Sequence, residues 1–148
     1  MGQLSQISEG SLPVQFDPSA FVAESELVEA LERHSVPYPC GKDHILFRQG
    51  EPPTGLYILG AGKATLSIEG VGGEAVMSVE TGSNSLLGLP GLLGNQPYSM
   101  TATAHEGAEV RYISRAEFTA FMQTSPQLAL KILQVLAAEV RTARRALY

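Results

Sequence analysis

Tryptophan is absent from this 148-residue chain and cysteine occurs once. A lone cysteine excludes an internal disulfide, and with it a stapled secreted scaffold, so a reducing, cytoplasmic setting is expected. Charge is scarce too. Asp, Glu, Lys and Arg make up 17% of residues against 44% hydrophobic, a balance too apolar for intrinsic disorder. Ten Lys+Arg against fifteen Asp+Glu leave a net charge of −5, so no general basic field exists to hold a nucleic-acid backbone. Long apolar runs are missing as well. The longest uncharged stretch, Thr81 to Ala104, is broken by glycines, prolines and polar residues and does not read as a membrane span. Met1 to Gly10 lacks the basic and apolar regions of a signal peptide. Gln6 stands where myristoylation requires Ser or Thr. Finally, glycine vanishes after Gly107 although the chain holds 15, and all but Gly2 and Gly10 fall between Gly41 and Gly107.

What is present divides into three zones within one domain of ordinary size. Residues 1–16 read as a flexible polar tail. Asp17-Pro18 then places an N-cap before a proline at the first helical position. Phe21, Val22, Leu27 and Leu31 follow at helical spacing, so one amphipathic helix is expected over 17–35. The span 36–114 alternates short apolar runs with glycine turns. The runs are His44–Phe47, Leu56–Leu59, Ala64–Ile68, Ala75–Val79, Ser99–Ala104 and Val110–Ile113. Short strands at such intervals, without helical crossovers, predict an antiparallel barrel or roll. From 115 to 148 the chain turns helical. Ser114-Arg115-Ala116-Glu117 is a capping box opening a short helix through Met122, and Ser125-Pro126 opens a longer one running toward Tyr148. Along it Leu133, Leu136, Val140, Ala143 and Leu147 recur at steps of three and four, the pattern of a coiled-coil seam. Leu128, Ile132 and Val135 form a second stripe, expected against the β body.

The run Phe47-Arg48-Gln49-Gly50-Glu51-Pro52-Pro53, continuing through Gly55-Leu56-Tyr57-Ile58-Leu59 to Gly62-Lys63-Ala64, resembles the opening strands of cyclic-nucleotide-binding domains in the Crp/Fnr superfamily of bacterial regulators. Leu87-Gly88-Leu89, then Leu92-Leu93 and Pro97-Tyr98-Ser99-Met100-Thr101-Ala102, resembles that family's phosphate-binding cassette. The resemblance spans about Pro39 to Arg145. It implies an eight-stranded, jelly-roll-like antiparallel β-roll flanked by helices, with a long C-terminal dimerisation helix and a small-molecule effector held by the cassette.

The cassette departs from the family at two positions. The resemblance implies Gly-Glu, whose carboxylate accepts from the ribose, where this chain has Gly88-Leu89. It implies Pro-Arg, whose guanidinium holds the cyclic phosphate, where this chain has Pro97-Tyr98. Each charge-assisted bond contributes about 1.5–3 kcal/mol. Losing both costs on the order of 10²–10⁴-fold in affinity, so cyclic AMP and cyclic GMP are expected to bind weakly. The family's Thr-Ser pair on the long helix corresponds to Ala143-Arg144. Residual anion affinity is expected from free N–H groups where Gly88 and Leu89 open a cassette helix, with Ser99 and Thr101 nearby. The expected ligand contacts are therefore Gly88, Leu89, Pro97, Tyr98, Ser99, Met100 and Thr101. Tyr98 and Leu89 either shape a less polar pocket, suited to an uncharged or carboxylate-bearing ligand, or simply fill it. Arg48 and Arg111 are alternative cations, but surface roles fit both better.

Other chemistries find little support. Cys40, His34, His44 and His105 are scattered and do not have the spacing of a metal cluster, and no cofactor is expected. A cupin enzyme shares a glycine-rich β body but needs converging histidines, and no nucleophile–base pair stands out. No enzymatic activity is expected. The family's helix-turn-helix module would follow the long helix, so no DNA contact is expected from these residues. Arg141, Arg144 and Arg145 fit a helix C-terminus. Two readings stay open, a stand-alone sensor or dimerising adaptor and the effector domain of a longer regulator, and ending within a helix without a capping glycine favours the second. The expected partner is a second copy through the C-terminal helix.

Overall fold

The computed structural model describes residues 18–147, with side chains from 19 to 141. The chain enters through a 3-10 turn, Pro18–Phe21, and helix α1, Ser25–Glu32. Eight strands follow: β1 Val36–Pro37, β2 His44–Phe47, β3 Gly55–Ala61, β4 Ala64–Glu69, β5 Ala75–Thr81, β6 Ser85–Leu87, β7 Thr101–Ala104 and β8 Glu109–Ser114. A short helix α2, Leu89–Gly94, interrupts them between β6 and β7. Helices α3, Arg115–Thr124, and α4, Pro126–Leu147, close the described chain. The strands form two four-stranded sheets, ordered β1-β8-β3-β6 and β2-β7-β4-β5. Every pairing is antiparallel. The mainly β roll with flanking helices is thus present.

Strand β3 explains how the layers stack. Its sequence, Leu56-Tyr57-Ile58-Leu59, shows no polar alternation because both of its faces are covered. Tyr57 and Leu59 enter the roll interior with Phe47, Leu66, Met77, Leu87, Tyr98 and Met100. Leu56 and Ile58 face the opposite way, into a helical layer built from Leu27, Leu31, Leu89, Leu92, Phe118, Phe121 and Ile132. One sheet therefore divides two cores, and the helices sit on its outer side. At the start of β3 only glycine fits: a Cβ on Gly55 would lie 2.2 Å from the Ile113 carbonyl oxygen.

Helix α3 is capped as its sequence predicts, with Ser114 Oγ accepting from the Glu117 N–H at 3.2 Å. The expected single helix over 17–35 is instead split. After the 3-10 turn, Val22 bridges to Ser85 and the Ala23 N–H donates to the Asn84 carbonyl at 2.9 Å. These backbone groups serve the sheet rather than a helix, and α1 begins only at Ser25. Its N-cap, Glu24, makes no side-chain cap. The Glu24 carboxylate meets Lys131 of α4 at 2.6 Å and raises the lysine pKa through that bond. Asp17 and the tail over 1–16 lie outside the described residues. Strands β1 and β6 are additions to the sequence reading, and β7 starts at Thr101 rather than Ser99. Among the described residues no helix is long and apolar enough to cross a membrane.

Candidate functional site

The segment from β6 to β7 is built around helix α2. Gly88 at its N-cap takes φ +95°, a conformation L side chains rarely adopt, and Asn95 closes it at φ 52°. The Gln96 N–H returns to the Gly91 carbonyl at 2.9 Å, and Arg115 of α3 donates to the Asn95 side chain. The chain then meets the loop between β2 and β3. There the Tyr98 N–H donates to the Glu51 carbonyl at 2.9 Å, and the Gly50 N–H donates to the Tyr98 carbonyl at 2.8 Å.

Tyr98 organises the site. Its side chain is 3% exposed, and its ring stacks on Phe47 with centroids 4.0 Å apart. Its hydroxyl accepts from the N–H groups of Thr54 at 3.0 Å and Gly55 at 3.2 Å, and donates to the Gly55 carbonyl at 2.8 Å. A Cβ on Gly88 would come within 2.9 Å of Tyr98 Cε1. The ring therefore lies against the very residue that opens α2. Beyond Phe47 the stack continues to Tyr57, which contacts Tyr38 and Tyr112. Burial, reinforced by the neighbouring tyrosines, raises the Tyr57 hydroxyl far above its usual range.

The other expected contacts divide. Met100 and Thr101 are buried beside Tyr98, whereas Pro97 and Ser99 are exposed. The Thr101 hydroxyl accepts from the Gln49 N–H at 2.9 Å. Gln49 in turn brackets Glu69, with its Oε1 accepting from the Glu69 N–H at 2.7 Å and its Nε2 donating to the Glu69 carbonyl at 3.3 Å. Leu89 faces away from Tyr98 and is fully buried in the helical layer. With Gly88 under the Tyr98 ring and α2 only six residues long, the expected anion site at its start has no support. Arg48 is exposed. Arg111, expected on the surface, is half-buried and spent on Ser35, donating from Nε to Oγ at 2.7 Å and from a terminal nitrogen to the carbonyl at 3.0 Å.

Among the described residues no three His, Cys, Asp or Glu side chains gather as a metal site would need. Cys40 donates to the Tyr38 carbonyl at 3.3 Å, and burial pushes its thiol up. His44 meets Tyr38 edge-on, and His34 meets Phe121 edge-on. His105 lies 2.6 Å from the Thr65 hydroxyl and 3.5 Å from Glu80.

Along α4 the two stripes separate by burial. Ile132 is fully buried, and Leu128, Val135 and Leu136 pack against the helical core. Leu133 and Val140 are 48% and 42% exposed, as is Leu130 at 59%. Leu136, expected on the seam, packs half-buried against the helical core instead. The side chains of Ala143 and Leu147 lie outside those described. Glu139 was missed by the sequence reading. It is 3% exposed, its Oε2 has no hydrogen-bond partner among the described residues, and burial holds its carboxyl well above the usual range. Its place seven residues after Ile132 and four after Val135 was the available signal.

Two antiparallel sheets forming a roll, a one-turn-and-a-half helix between β6 and β7, and a helical layer ending in α4 define the cyclic nucleotide-binding fold. Residues 39–125 match the family described as the cyclic nucleotide-binding domain, and the chain belongs to it. It is 30% identical to the cyclic AMP receptor protein of Thermus thermophilus over 72% of its own length and 48% of that protein's. The chain thus spans about half of that relative. In structure it resembles the Thermus thermophilus catabolite activator protein, with a TM-score of 0.71 and 24% identity, covering 86% of this chain and 60% of the other. It also resembles the sensor domain of the transcriptional regulator DNR from Pseudomonas aeruginosa, with a TM-score of 0.63 and 21% identity over 81% of each chain.

Proposed function

We propose that this domain is the small-molecule-sensing part of a cytoplasmic Crp/Fnr-type transcription regulator whose cassette does not hold cyclic AMP or cyclic GMP tightly. Tyr98 carries this reading. The position where the family resemblance implies a phosphate-binding arginine holds a ring buried against Phe47 and Gly88, with its hydroxyl spent on Thr54 and Gly55. Between Thr81 and His105 there is no Asp, Glu, Lys or Arg to replace the lost charge. A ligand suited to Tyr98, Met100 and the exposed Ser99 would be less charged than a nucleotide. It would act by binding one arrangement of cassette and α4 better than another, since equal affinity for both shifts nothing. The domain works without enzymatic activity or DNA contact of its own, as a homodimer through α4. Calorimetric titration tests this: cyclic AMP and cyclic GMP should bind at millimolar levels or weaker, and micromolar binding of either would overturn it.

The burial of Tyr98 and Met100 in the roll also favours a second reading, a dimerising adaptor that binds no ligand. Native mass spectrometry of the purified protein separates the two. A co-purified small molecule supports the sensor, and a bare mass that no metabolite mixture shifts supports the adaptor.

A further inference from the structure

We propose that a cleft beside the end of α1 binds a free aliphatic α-amino acid, with Glu32 taking its ammonium and Arg111 its carboxylate. This site is separate from the cassette and independent of what the cassette holds. The cleft encloses about 410 Å³ and is lined by Glu32 at the end of α1, Pro37 and Pro39 in and after β1, Gly60 of β3, and Glu109 and Arg111 of β8. That volume lies within the range of small-molecule sites.

The floor of the cleft is bare. A Cβ added at Gly60 would lie 3.6 Å from Glu32 Oε2 and 3.6 Å from the Glu109 carbonyl oxygen, so the Glu32 carboxylate hangs over backbone with no side chain beneath it. The opposite charges are held apart. Arg111 donates from Nε and one terminal nitrogen to Ser35 at 2.7 and 3.0 Å. These bonds fix the guanidinium and leave its other terminal nitrogen without a partner among the described residues. Glu32 is half-buried, and its carboxylate has no partner among the described residues either, Arg111 included. A carboxylate and a fixed guanidinium that share a cleft without meeting offer an acceptor to an ammonium and a donor to a carboxylate. A zwitterion satisfies both at once, whereas a simple amine or a simple acid leaves one of them unpaired. Glu109, exposed at the rim, adds a second acceptor for an ammonium that has three donors to place. Pro37 and Pro39 contribute apolar rings and no N–H, so the side chain accommodated beside them is aliphatic.

Amide NMR of the nitrogen-labelled chain, titrated separately with L-alanine, L-valine and L-leucine, tests the site. Saturable shifts are expected at Gly60, at Glu109 and at Cys40, which also lines the cleft, while the cassette amides of Gly88 and Thr101 hold still. The methyl ester and the N-acetyl derivative of the tightest binder each lack one charge, and each should bind roughly 10-fold more weakly or worse. Glu32→Gln removes the charge and keeps the shape, and should weaken the amino acid by about the same factor. The two derivatives need no variant, so they carry the comparison if Glu32→Gln folds poorly by circular dichroism. No saturable shift at Gly60 with any of the three amino acids, or an ester that binds as well as its parent, would overturn the proposal. Shifts confined to Gly88 and Thr101 would overturn it too, and would leave the cassette reading standing.

Discussion

Replacing Tyr98 by Phe removes one oxygen and keeps the ring, which isolates what holds this side chain in place. The hydroxyl accepts from the Thr54 and Gly55 N–H groups and donates to the Gly55 carbonyl. Deleting it leaves those groups without that partner in a region where Tyr98 is 3% exposed. A buried polar group left unpaired costs about 1–3 kcal/mol. Taking about 2 kcal/mol, and about 2–4 °C per kcal/mol for a chain of this size, Tyr98→Phe should melt roughly 4–8 °C lower. Tyr98→Ala removes the stack on Phe47 as well and opens a void against Gly88. Truncation of a buried aromatic costs about 3–5 kcal/mol, so this variant should be clearly the weaker of the two. The assay is thermal and urea unfolding at one fixed protein concentration, because association would otherwise shift the midpoint. Two variants unchanged within about 0.5 kcal/mol, the usual range for a surface site, would refute the anchoring. Equal losses for Phe and Ala would assign the whole effect to the hydroxyl and refute the stacking argument.

Two further outcomes follow from α4. Val140→Glu places like charges across the proposed seam, at a residue 42% exposed in the single chain, and should convert dimer to monomer in light scattering. An unmodified protein that is already monomeric would show the seam to be wrongly assigned. Glu139 gives a pH signature. Burial raises its carboxyl in the folded chain, so the folded state binds this proton more tightly than the unfolded state does. Its contribution is fully present below the unfolded value of about 4.3 and is lost as pH rises through the folded one. Glu139→Gln mimics the protonated form. In urea unfolding of dilute protein it should therefore gain stability over the parent as pH rises, and parallel profiles would contradict this.

How far the sequence reached depended on whether a feature was local. The Ser114 cap on Glu117 lies within four residues, and the structure has it as read. The glycine-separated apolar runs became strands because turns and β-branched residues act over short stretches. Strand β6 was not legible, since Ser85-Leu86-Leu87 is three residues whose pairing with β3 is nonlocal. The split of the N-terminal helix has the same origin: Val22 and Ala23 carry helical spacing, but their backbone is claimed by Ser85 and Asn84 across the fold. In the site, the sequence identified Tyr98 and Leu89 as the unusual residues but put both in one pocket. The structure sends Leu89 into the helical layer and Tyr98 into the roll, on opposite sides of the sheet that separates the two cores. The tie between Gln49 and Thr101 joins residues 52 apart, and no pattern along the chain announces it. Glu139 was missed although its spacing puts it on the buried stripe, because its charge argued against reading it there.

The central claim is that Tyr98 occupies the space a nucleotide phosphate would need, and amide NMR reports on that space residue by residue. In a titration of the nitrogen-labelled chain with cyclic AMP or cyclic GMP, the Gly55, Gly88 and Thr101 amides should hold their positions until the nucleotide reaches millimolar levels. Saturable shifts of those amides at micromolar nucleotide would contradict the account.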